Sequence, residues 1–176
     1  AFALCTPALL LSPLLLHSAG VVQGPGGGAM CFFDSEAPPA VATIAGSGYI
    51  QGTDGDDVIV GSSGRDHIFG GLGNDIICGN GGGDVIDGGG GTDYATYWDA
   101  TSGISVNLGT GAVTGGSGND TLVSIEQVNG AGFADTLVGS GGNESLWGAA
   151  GNDSIDGSGG NDYLVGGAGA DTIIGG

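Results

Sequence analysis

The chain has 176 residues, 43 of them glycine, and sets 19 acidic side chains against a single basic one, Arg65. Glycine at this level without a three-residue period or proline enrichment excludes collagen, and a formal charge of −18 repels nucleic acid and anionic membrane surfaces while favouring cations as partners. With almost no internal ion pairs available, something other than basic side chains must neutralise the carboxylates before the chain is compact; otherwise this composition reads as disorder.

Residues 1–20, AFALCTPALLLSPLLLHSAG, are apolar up to Leu16 and then turn small and polar. The run is short, and Pro7 and Pro13 interrupt it, so no membrane span is expected in the mature chain. It is similar to the apolar stretch of a secretory signal peptide, with small residues for cleavage at 18–20. A stray apolar tail is the alternative. The basic start of such a signal is missing, residue 1 is Ala, and the closing GADTIIGG stops inside a further repeat, so the chain reads as a fragment of something longer. Residues 21–51 form an N-terminal segment expected to pack on the folded repeats.

From Gly52 the chain falls into blocks of nine. GTDGDDVIV, GSSGRDHIF, GGLGNDIIC, GNGGGDVID and GGGGTDYAT fill residues 52–96, and GGSGNDTLV stands alone at 115–123. GAGFADTLV, GSGGNESLW, GAAGNDSID, GSGGNDYLV and GGAGADTII complete the series within 130–176. Position 1 is always Gly, position 4 is Gly in ten of the eleven blocks, and position 6 is acidic in all eleven. Position 8 is Ile or Leu except at Ala95. Glycines at positions 1 to 6 allow a tight loop whose carbonyls converge without Cβ clashes. Positions 7 to 9 make a short strand, on which a lone aliphatic at position 8 points inward.

This pattern resembles the calcium-binding nonapeptide of the RTX (hemolysin-type) family of secreted bacterial proteins, over about residue 46 to the end. The resemblance implies an all-β fold: a right-handed parallel β-roll, or β-helix solenoid, with two nonapeptides per coil, a sheet on each side and loops along each edge. It also implies Ca2+ as cofactor, several ions held at the position-6 residues Asp57, Asp66, Asp75, Asp84, Asp93, Asp120, Asp135, Glu144, Asp153, Asp162 and Asp171. Repeats two apart would share an edge, placing Asp57 by Asp75, Asp66 by Asp84, Asp75 by Asp93, Asp135 by Asp153, Glu144 by Asp162 and Asp153 by Asp171. Pairs of carboxylates with loop carbonyls give all-oxygen cages, which suit calcium better than magnesium, and no His or Cys cluster offers zinc its softer ligands. Glu144 is longer than Asp, Phe133 replaces a position-4 glycine and Ala95 thins the core, so weaker occupancy is expected near 130–144.

The repeats form two blocks, 52–96 and 130–176, around an insertion at 97–129. Residues 97–114 equal one coil in length, which would keep the repeat at 115 in register; Ile104, Val106 and Leu108 alternate as a strand and a Gly-Thr-Gly turn comes after them. The six residues SIEQVN, 124–129, are expected to break the phase. Tyr94, Tyr97 and Trp98 beside the insertion read as cover for the seam rather than as a ligand-binding aromatic patch.

Cys5 falls in the proposed signal, leaving Cys31 and Cys78 as an even pair in a chain that looks exported. Position 9 places Cys78 on the outer face with Val60. Some RTX-like proteins resemble this arrangement, with one Cys before an Ala-Thr-Ile strand and another in an Ile-Cys-Gly repeat, which implies a Cys31–Cys78 bridge; free thiols remain the alternative. No enzyme is expected: the histidines are His17 and His67 alone, too few for a zinc-protease helix or a nucleophile–His pair. The reading is a secreted calcium-binding module that folds on Ca2+. The alternative is the accessory region of a hydrolase, toxin or adhesin, covalently linked to a functional domain outside this sequence.

Overall fold

The computed structural model describes residues 30–31, 40–41 and 43–176, and in it position 8 of every repeat sits on a short strand between glycine-rich bends. The expected leader at 1–20 and most of the segment up to 42 lie outside the described residues. Within that segment Met30–Cys31 (β1) and Ala40–Val41 (β2) pair antiparallel. No helix occurs among the described residues, and none is long and apolar enough to cross a membrane.

Successive repeats alternate between two sheets, as a two-repeat coil requires. Sheet I has seven strands: Ile44–Ala45 (β3), Val58–Val60 (β5), Ile76–Cys78 (β7), Tyr94–Thr96 (β9), Gln127–Asn129 (β13), Ser145–Trp147 (β15) and Tyr163–Val165 (β17), parallel throughout. Sheet II has nine, beginning with Tyr49–Gln51 (β4), His67–Leu72 (β6), Val85–Gly90 (β8) and Gly118–Val123 (β12). It continues through Ala112–Gly115 (β11), Ile104–Asn107 (β10), Thr136–Val138 (β14), Ser154–Asp156 (β16) and Thr172–Ile174 (β18). This is the all-β parallel roll that the repeat implies.

The position-8 side chains face one another between the sheets. Ile59, Ile77, Ala95 and Leu146 from sheet I and Ile68, Ile86, Leu122, Leu137 and Ile155 from sheet II are all buried in one core. Tyr97 and Ala100 join that core beyond the small Ala95, whereas Tyr94 and Trp98, expected beside Tyr97 as cover, are only half-buried and lie outside that core. One aliphatic per nine residues suffices because each strand stacks its aliphatic on the strand before it, Ile59 on Ile77 and Ile68 on Ile86.

The insertion departs from expectation. Residues 97–114 do not add a coil of their own: β12 stacks directly on β8, with Leu122 opposite Ile86. The intervening chain doubles back as an antiparallel hairpin, β10–β11, on the far side of β12. Alternating Ile104 and Val106 fit an antiparallel neighbour as well as a parallel one. The turn is made by Thr110, whose N–H donates to Asn107 Oδ1 at 2.9 Å, and by Gly111 at φ 73°. Nor does 124–129 break the phase on sheet I. Val128 takes a position-8 place between Ala95 and Leu146, because Glu126, Gln127, Val128 and Asn129 copy positions 6 to 9 without the glycine loop before them. The seam is confined to sheet II.

Position 9 does face outward, yet Val60 and Cys78 are buried there in a small second cluster with Val58 and Ile76 packed on it. Strand β1 lies over β5 and β7, so the N-terminal segment supplies this cover.

Candidate metal centre

The position-6 carboxylates form two files, one along each edge of the roll. Asp57, Asp75, Asp93, Glu144 and Asp162 line one edge, and Asp66, Asp84, Asp120, Asp135, Asp153 and Asp171 the other. Nine of the eleven are buried, with Asp162 and Asp171 half-buried in the last coil.

Except at Glu144, whose two oxygens both bond Ser140, one oxygen of each carboxylate accepts a bond from the neighbouring coil. The backbone N–H of Asp57 donates to Asp75 Oδ1 at 2.8 Å and that of Asp75 to Asp93 at 2.9 Å. On the other edge Asp66 donates to Asp84 at 2.8 Å, Asp84 to Asp120 at 2.9 Å, Asp135 to Asp153 at 2.9 Å and Asp153 to Asp171 at 3.0 Å. The N–H of Glu144 reaches Asp162 at 3.0 Å. The pairs expected from repeats two apart are therefore all brought together. Asp84–Asp120 is an additional pair, created by the direct stacking of β12 on β8.

A further acid belongs to the first file. The N–H of Asp93 donates to Glu126 Oε2 at 2.9 Å, so Glu126 fills a position-6 place that the sequence reading missed. Its signal was the E-x-V spacing ahead of Asn129, hidden because no glycine loop precedes it. Conversely, Ile104 holds the matching place beside Asp135, donating its N–H to Oδ1 at 2.8 Å.

The second oxygens divide the loops into two kinds. In four repeats the loop closes on its own carboxylate: position-2 N–H groups donate from Thr53 to Asp57 (2.8 Å), Ser62 to Asp66 (2.6 Å), Ala131 to Asp135 (2.6 Å) and Ser140 to Glu144 (3.1 Å). The hydroxyls of Thr53, Ser62 and Ser140 add bonds to the same groups. In contrast, Oδ2 of Asp75, Asp84, Asp93, Asp120, Asp153 and Asp162 is buried with no well-formed hydrogen bond among the described residues, the Tyr97 hydroxyl alone standing near Asp120.

Backbone conformation explains most of this division. Five of those six repeats carry a left-handed position 2: Gly71 (φ 114°), Asn80 (62°), Gly89 (93°), Ala149 (74°) and Ser158 (68°). That turn swings the position-2 N–H away from the carboxylate. Ala149 and Ser158 adopt it against ordinary side-chain preference, so composition alone does not disclose which loops open.

A buried carboxylate oxygen without a donor is costly, and its surroundings here are oxygens. A Cβ added to Gly70 would stand 2.3 Å from Asp75 Oδ2 and 2.4 Å from the Gly88 carbonyl. At Gly148 the distances are 2.3 Å to Asp153 Oδ2 and 2.6 Å to the Gly166 carbonyl. Position 1 must be glycine because a carboxylate oxygen and a carbonyl from the next coil converge there. No three Asp, Glu, His or Cys side chains come together among the described residues, so an ion on these edges needs the loop carbonyls as well. Buried acidic oxygens, converging carbonyls and no soft donors suit a hard divalent cation.

The electrostatics agree. Burial pushes Asp84 up to about 7 despite the Asp66 N–H that bonds it, and the charges of Asp120 and Asp66 push the same way. Burial likewise raises Asp75, Asp93, Asp120 and Asp153. Asp135 rises to about 6, chiefly by burial, although N–H groups of Ile104 and Ala131 oppose the shift. Asp57 is the counterexample: burial raises it, but bonds from Thr53 and Thr43 outweigh this and its carboxyl falls below the ordinary value. At Asp57 the closed loop outweighs burial; at Asp135 burial outweighs the closed loop.

Comparison with known proteins points the same way. The family model described as RTX calcium-binding nonapeptide repeat (4 copies) matches residues 44–77, 51–86, 66–95, 109–124, 129–164 and 156–176, together more than half of the chain. No curated protein matches it.

Proposed function

Because the chain belongs to the RTX calcium-binding nonapeptide repeat family and is a calcium-binding repeat module, we propose that it folds on binding Ca2+ at the carboxylates of its two loop edges. The observation that carries this reading is the set of buried oxygens without a well-formed hydrogen bond on Asp75, Asp84, Asp93, Asp120, Asp153 and Asp162. Calcium accepts about six to eight oxygens in irregular geometry, which pairs of carboxylates and loop carbonyls supply. Asp171 shares a site with Asp153. Asp57, Asp66, Asp135 and Glu144 line the same edges, but their loops already satisfy them, so they contribute less. Weaker occupancy near 130–144 is then a consequence of the closed loops of Asp135 and Glu144, rather than of Phe133 alone.

Without calcium the carboxylates repel, and one aliphatic per nine residues does not offset chain entropy. With calcium, binding free energy becomes folding free energy. Affinity in the range of about 10⁻⁴ to 10⁻³ M suits an extracellular module. A secreted location fits that range, as does a Cys31–Cys78 bridge, which is supported by the packing of β1 over β7. The module's role is structural rather than catalytic, in service of whatever domain is linked to it. Circular dichroism of the chelated chain should show coil, converting to strand at millimolar calcium; a spectrum indifferent to calcium overturns the reading.

A further inference from the structure

The outer face of sheet I carries a cleft of about 770 Å³ that the calcium reading leaves unused. Tyr94, Trp98, Trp147 and Tyr163 line it. Three of these rings, from β9, β15 and β17, meet across the face with β13 lying between the first two: Tyr94 and Trp147 have centroids 5.6 Å apart, and Trp147 and Tyr163 5.9 Å. Tyr163 is 61% exposed, a high value for a large ring on a sheet. Amides stand among the rings. Gln127 makes no hydrogen bond with its side chain among the described residues, and Asn74 lends only its carbonyl, to the Thr92 N–H at 2.9 Å.

The geometry points to a binding site for a neutral oligosaccharide along this cleft. Aromatic faces carry negative quadrupole charge and attract the polarised C–H face of a pyranose ring, while free amides donate to and accept from hydroxyls. Few convergent polar groups in an aromatic-lined cleft of this size describe a small-molecule site. Charge decides between ligand classes. The only ionisable carboxylate in the lining is Asp75, which is buried at 1% exposure and committed to the loop edge, so a cationic ligand finds no accessible counter-charge. An anionic glycan meets no basic residue in the lining and a chain of net charge −18. A neutral chain of sugars, laid along the roll over the rings of β9, β15 and β17 and the Gln127 amide of β13, satisfies both limits.

The test uses the full chain in saturating calcium, titrated with cellohexaose, chitohexaose, mannohexaose and maltohexaose and monitored by tryptophan fluorescence and calorimetry. At least one should bind saturably. Trp147→Ala and Tyr163→Ala should each weaken that binding by about tenfold while the calcium-loaded dichroism spectrum stays unchanged. Tyr49→Ala, an exposed tyrosine on sheet II, should leave binding intact. The proposal is overturned if none of the four sugars binds the folded chain, if Trp147→Ala or Tyr163→Ala binds as tightly as wild type, or if Tyr49→Ala weakens binding equally. It is also overturned if polygalacturonate or an alkyltrimethylammonium ion binds as well as the best hexasaccharide.

Discussion

At the scale of single residues, the second oxygen of each carboxylate decides what that residue does. Asp75→Asn removes an oxygen charge that no donor compensates, and should raise the calcium concentration at the folding midpoint on the order of tenfold. Asp57→Asn removes a group already held by Thr53. It should leave that midpoint near wild type and cost about 1 kcal/mol of calcium-loaded stability in chemical denaturation. Acidity bears on two other carboxylates, one in an open loop and one in a closed loop. Asp84 stands at about 7 against an ordinary 3.8, and Asp135 at about 6. Both values are raised by folding, so protonation favours the metal-free roll: this stability is present below about pH 4, and is lost as pH rises through about 6 and about 7. Strand signal in the chelated chain should therefore grow as pH falls across that window. The calcium midpoint should rise over the same window, because protons compete for the ligands; flat profiles for both would contradict the shifts.

Elements were legible to the extent that they repeat. Positions 6 and 8 located the two files of carboxylates and the core, since a nine-residue period leaves only one register in which the aliphatics meet. The hairpin was less legible, because alternation at Ile104, Val106 and Leu108 says that a strand forms but not which way its neighbour runs. Glu126 escaped because the period was sought through its glycines, and a linker from β12 replaces them there. The open and closed loops could not be told apart either: Ser158 and Ser140 hold the same position in like sequences, GSGGND and GSGGNE, yet only Ser158 turns left-handed. The hairpin offers a direct check. At Gly111, φ is 73° and an added Cβ would lie 2.4 Å from the Leu122 carbonyl, whereas a Cβ on Gly141 meets nothing within 4 Å. Gly111→Ala should cost about 1–3 kcal/mol in thermal melting of the calcium-loaded chain, and Gly141→Ala should stay within about 0.5 kcal/mol.

For the whole molecule, charge sets the size of the chain before calcium arrives. A net charge of −18 with a single basic residue makes the chelated chain self-repelling over about a Debye length, some 10 Å at 0.1 M salt. Sodium chloride should shrink its hydrodynamic radius without adding strand signal. Calcium should shrink it and add strand together, and light scattering paired with dichroism separates the two responses.

The hairpin also makes the two sheets unequal in width. Sheet II has nine strands and sheet I seven, and strands pair at about 4.8 Å. The side containing β10 and β11 is therefore longer by about 10 Å. Tyr94, Trp147 and Tyr163 stand on the shorter sheet, where β13 follows β9 directly, so the strands that carry their rings stay within four neighbouring places while the opposite sheet takes up the added hairpin.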